Sequence, residues 1–143
     1  MKPILLFALL TILLAGCSAS LAEVRQSPPT HTIDVAMPAV DLSYCVLRAI
    51  EGIDSVYTSR LSGSPDQREF FITVARQGGF VANAPMIGFE LHFLSHDHVT
   101  TVDMREGHYD GRQLARQSWP LIERCSQQAR PATAPSAASA SAR

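Results

Sequence analysis

Lysine is almost missing from this chain: Lys2 is its only one in 143 residues, and the other basic residues are all arginine. Asparagine is nearly as scarce, with Asn83 alone. Beside abundant alanine, this bias reads as GC-rich coding more than as arginine selected for carboxylate or phosphate recognition. There is no basic stripe, which argues against nucleic acid as a partner. There is no polybasic segment for anionic lipid headgroups either. Nor is any apolar run as long as the roughly 20 residues that a membrane-spanning helix requires.

Catalytic signatures are missing as well. The chain holds no G-x-S-x-G elbow and no glycine-rich phosphate loop; Gly78-Gly79 separates two strand-like runs, as a hairpin turn would. No H-E-x-x-H helix is present. Nothing assigns an enzymatic activity, and no catalytic residue or cofactor is expected.

What is present at the start is a leader. Lys2 precedes twelve uncharged, mostly leucine-like residues from Ile4 to Ala15, a length that suits the apolar core of a signal peptide. The run ends in Leu14-Ala15-Gly16-Cys17. This arrangement resembles the lipobox of bacterial lipoproteins, over the first seventeen residues only. The resemblance implies loss of residues 1–16 and lipid on Cys17, as a diacylglyceryl thioether with an acyl group on the new amino terminus. At about 0.8 kcal/mol per buried methylene, three chains make such an anchor effectively permanent. Ser18-Ala19-Ser20, in place of an Asp after the cysteine, implies by the same resemblance a site on the outer membrane of a Gram-negative cell, facing the periplasm. The competing reading is ordinary signal cleavage after Ala22, where Ser20-Leu21-Ala22 offers small residues and a free soluble protein would result.

With Cys17 given to lipid, the resemblance leaves Cys45 and Cys125 as partners for one disulfide in an oxidising compartment. Closing that loop should stabilise the fold by roughly 4 to 5 kcal/mol. Loss of Lys2 takes the formal net charge of −1 to about −2. The mature length of about 127 residues suits one domain. Residues 17–38, polar and interrupted by Pro28-Pro29, read as the lipidated cysteine and a flexible tether averaging roughly 25 Å as a coil. Residues 39–130 read as a single α+β domain. Residues 131–143 hold only Pro, Ala, Thr and Ser before a final Arg, and read as a disordered tail.

Within the domain, Asp41 predicts a helix N-cap and Leu42, Cys45, Val46, Ala49 and Ile50 form one apolar face up to Gly52. Strands are predicted over 53–62, 69–76, 86–94 and 98–105, with polar turns between them. In the third, Ile87, Phe89, Leu91 and Phe93 alternate with Gly88, Glu90 and His92, predicting one buried and one solvated face. A last helix is predicted over 111–129, capped by Asp110 with Gln113 and kinked or restarted near Pro120. The expected fold is helix, four-stranded antiparallel sheet, helix, with both helices on one face.

The densest polar cluster is His92, His96, Asp97 and His98, with Glu90, Asp103 and His108 near it. Imidazole and carboxylate are the ligand types of zinc, copper or nickel. An extended chain would spread these residues over about 20 Å, however, so a solvated hairpin edge is the plainer reading of His92, His96 and His98. Arg112, Arg116 and Arg124 on the last helix read as a solvated face or an anion-recognising one. Phe70, Phe71, Phe80, Phe89, Phe93 and Trp119 read as packing, and would mark a partner surface if exposed together. The function these features favour is a lipid-tethered binding module for an envelope protein, a cell-wall component or a toxin. The alternative is a small metal-binding protein or hydrolase built on the histidine hairpin.

Overall fold

A computed structural model describes residues 20–64, 66, 68–76, 85–107 and 109–128, the side chains of Tyr109 and Asp110 excepted. Cys17, Gly78-Gly79, Phe80, His108 and residues 131–143 lie outside them. The described residues form a mixed α+β fold, with a five-stranded antiparallel sheet and three helices. In order these are α1 (Leu21–Gln26), β1 (His31–Val35), α2 (Ala39–Ile50), β2 (Tyr57–Ser64), β3 (Glu69–Arg76), β4 (Met86–His96), β5 (Val99–Glu106) and α3 (Tyr109–Gln128). The sheet order is β1-β5-β4-β3-β2.

The fifth strand and third helix correct the sequence-based expectation of a tether. Ser20 starts α1 with a capping box: its hydroxyl accepts from the Glu23 amide, and the Glu23 carboxylate accepts from the Ser20 amide. Pro28-Pro29 separates α1 from β1 without releasing the chain, because β1 pairs with β5 from His31↔Met104 to Val35↔Thr100. The Thr30 amide already donates to the Met104 carbonyl. Six residues cannot hold a helix alone. Here Val24, 2% exposed, and Arg25 tie α1 to the sheet.

Other boundaries shift for local reasons. α2 starts at Ala39 rather than Leu42, with Pro38 as N-cap. Asp41 is thus not the cap but a first-turn carboxylate, favourable beside the helix dipole. β2 starts at Tyr57 rather than Ile53, because the Asp54 carboxylate accepts from the Val56 amide and folds residues 53–56 into turns. β4 and β5 meet at a tight turn in which Asp97 takes φ 52°. α3 starts before Asp110, which therefore does not cap it, and runs through Pro120 without a break. Buried Leu114, Ala115, Ile122 and Cys125 keep both halves against the sheet.

β4 skips Gly88 in its pairing with β3, where Val74 faces Phe89 and Ala75 faces Ile87. Backbones crowd here: the Gly107 amide donates to the Gly88 carbonyl at 2.7 Å. A Cβ on Gly111 would collide with that same carbonyl oxygen, so glycine lets α3 begin directly on β4.

The sheet has two unlike faces. On the inner one, Phe70, Ile72, Val74, Phe89, Leu91, Phe93, Val102 and Met104 pack against Leu42, Val46 and Ile50 of α2 and Leu114, Ala115 and Ile122 of α3. Cys45 and Cys125 join these helices by a disulfide, with Cα atoms 6.0 Å apart. The helices run antiparallel. α2 leaves the β1 end, where the Thr100 hydroxyl donates to the Met37 carbonyl, and delivers the chain to Tyr57 beside Arg76; α3 starts at that second end and returns. Among the described elements, α1 lies on the outer face, near β4 and β5.

Candidate functional site

Alternation along the strands sends Phe71, Thr73, Glu90, His92, Asp103 and Arg105 to the outer face. Glu90, expected on a solvated face, is 0% exposed. Its carboxylate accepts from Arg25 Nε at 3.0 Å and Nη2 at 2.8 Å, and from the Thr73 hydroxyl at 3.1 Å. The Arg25 guanidinium also lies 4.6 Å from the Phe71 ring centroid. Hydrogen bonding to Glu90 holds Arg25 above the ordinary arginine range, against the opposing desolvation. A basic group shifted upward contributes stability that is lost only as pH rises through its raised pKa, so no ordinary alkaline pH releases this clamp. Arg105 secures the exit of α1 by donating from Nε to the Ser27 carbonyl at 3.1 Å.

His92 is engaged on the same face. Its Nε2 lies 2.7 Å from the Glu69 carboxylate, and its ring stacks on Phe71 at 4.6 Å. His96 ends β4, four residues or about 13 Å further along the strand, and His98 lies in the turn beyond it. The hairpin therefore does not gather His92, His96 and His98. Among the described residues no three His, Cys, Asp or Glu side chains converge on a point that a metal ion could occupy.

The arginines of α3 also separate. Arg112 leans toward Glu106 at 3.6 Å, and Arg116 Nε donates to the Arg112 carbonyl. Arg124 instead enters a groove between α2 and α3. Most of the expected aromatic packing is internal: Phe70, Phe89 and Phe93 are buried, and Trp119 stacks on His31 at 4.7 Å. Among the described residues the exposed aromatic side chain is Tyr44, half accessible on α2, which the sequence pattern did not single out.

That groove, of about 860 Å³, is lined on α2 by Asp41, Tyr44 and Arg48 and on α3 by Arg124 and Gln128, with the disulfide at its floor. The spacing i, i+3, i+7 from Asp41 to Arg48 puts those side chains in one line along α2. Because the helices are antiparallel and level at the disulfide, Arg48 and Arg124 share one end and Asp41 and Gln128 the other. Neither arginine has an ion-pair partner among the described residues.

No protein-family model matches this chain, and no curated protein is significantly similar to it. Among the described residues no helix is long and apolar enough to cross a membrane.

Proposed function

We propose that the protein is a lipid-tethered binding module on the periplasmic side of the outer membrane, with Cys17 as the lipidated residue. The observation that carries the tether is the Ser20–Glu23 capping box. A cut before Cys17 leaves the cap of α1 in place. A cut after Ala22 would remove the cap and the first two residues of the helix. The binding role is supported by a stapled helix pair that leaves Arg48, Arg124 and Tyr44 exposed, without ion-pair or hydrogen-bond partners among the described residues.

The clamp at Arg25 changes how such a tether works. From Cys17 to Ser20 the chain can reach at most about 10 Å, so a lipid on Cys17 holds the domain at the bilayer instead of on a long leash. Feeding cells an alkyne analogue of palmitate tests the proposal. The full chain should incorporate label and sediment with membranes, and Cys17→Ser should lose the label. Label-free mature protein starting at Glu23 would contradict it. Crosslinking in intact envelopes should then capture a partner on the helix side.

A further inference from the structure

We infer that the groove between α2 and α3 is a docking site for a short acidic peptide segment of a partner protein. The inference deepens the binding-module reading and names its surface. Arg48 and Arg124 lie at one end of the groove, both exposed, with no acidic partner among the described residues. Paired guanidinium groups present planar donor forks that match a carboxylate, and arginine and tyrosine are the side chains that most often anchor interfaces. Tyr44, 50% exposed, lies between the arginine end and Asp41 and offers a ring for the intervening backbone and side chains.

Geometry fixes the size of the segment. Asp41 to Arg48 is seven residues, or about 10 Å along the helix, which an extended peptide covers in about three residues. Asp41 at the far end, also without an ion-pair partner among the described residues, favours a cationic residue there. The ligand is thus an extended segment with a carboxylate at the arginine end and a basic group about three residues away. Cys45–Cys125 holds the two walls together before anything binds, so little ordering is needed on docking. The groove lies on the helix layer, across the sheet from α1. A lipid anchor close to α1 therefore leaves it facing the periplasm, an orientation that rests on the proposed lipidation.

The test uses the full chain in detergent micelles and a fluorescein-labelled peptide with two Glu residues and a Lys three residues on, in an Ala/Ser background. Fluorescence anisotropy should show saturable binding, at least tenfold weaker when both Glu are replaced by Gln. The double variant Arg48→Ala/Arg124→Ala should weaken binding at least tenfold while keeping the wild-type circular dichroism and Tm. Arg112→Ala, outside the groove, should bind as wild type does. Equal binding of the Glu and Gln peptides, or no loss in the double variant, would overturn the inference. So would self-association abolished by the double variant, which would give the groove to a second copy of the chain. Envelope crosslinking separates this failure from that of the broader reading: the same partner captured by wild type and double variant leaves a binding module whose surface is elsewhere.

Discussion

The two faces of the sheet are covered by opposite means. The inner face is sealed by two long helices, fifteen or more apolar side chains and a disulfide. Among the described residues, the outer face receives one six-residue helix, held by a buried carboxylate, an arginine and a buried valine. Apolar burial is non-directional and supplies most of the stability. A buried ion pair adds little net stability, but it fixes where the partner sits. The inner face thus makes the fold, and the outer face decides how the amino-terminal chain approaches it.

The inner face is the more sensitive of the two to a single substitution. Phe89→Ala removes a 0% exposed ring from the middle of the core and should destabilise the whole domain by about 4 kcal/mol in urea unfolding. Arg25→Ala leaves Glu90 buried without its cation and should destabilise by about 3 kcal/mol, with the loss concentrated in α1. Replacing both partners, Arg25→Met with Glu90→Leu, should return stability to within about 1 kcal/mol of wild type. A double variant as unstable as Arg25→Ala would show that the pair contributes more than positioning.

Much of the inner face was legible because one side chain in two along β4 is large and apolar, and because α2 repeats Leu42, Val46 and Ile50 at helical spacing. The outer face was not. Glu90 looks solvated in any strand pattern, since the group that buries it, Arg25, is 65 residues away in sequence. The segment His31-Thr-Ile-Asp-Val alternates, but in a polar stretch after Pro28-Pro29 it is too short to show a sustained apolar period. The Ser20–Glu23 box is present in the sequence, but no amphipathic run follows it to mark a helix. The groove is legible only in part: Arg124 falls on a helix that the sequence predicts, while Arg48 and Tyr44 acquire meaning only once the antiparallel helix pair is known.

Smaller changes sharpen the boundary between the faces. Gly111→Ala sets a methyl group against the Gly88 carbonyl and should destabilise by about 2 kcal/mol, shifting α3 without touching α1. Ser20→Ala removes the cap and should lower the stability of α1 by about 1 kcal/mol, leaving the global unfolding midpoint nearly unchanged.

Residues 20–35 belong to the folded domain. Hydrogen exchange read by mass spectrometry tests this directly, on the wild-type chain beside Arg25→Ala. The wild type should protect the amides of Val24 and of β1, and Arg25→Ala should lose protection in α1 while β4 stays protected. Random-coil exchange across residues 20–35 of the wild type would contradict the account and restore a flexible leash between lipid and domain.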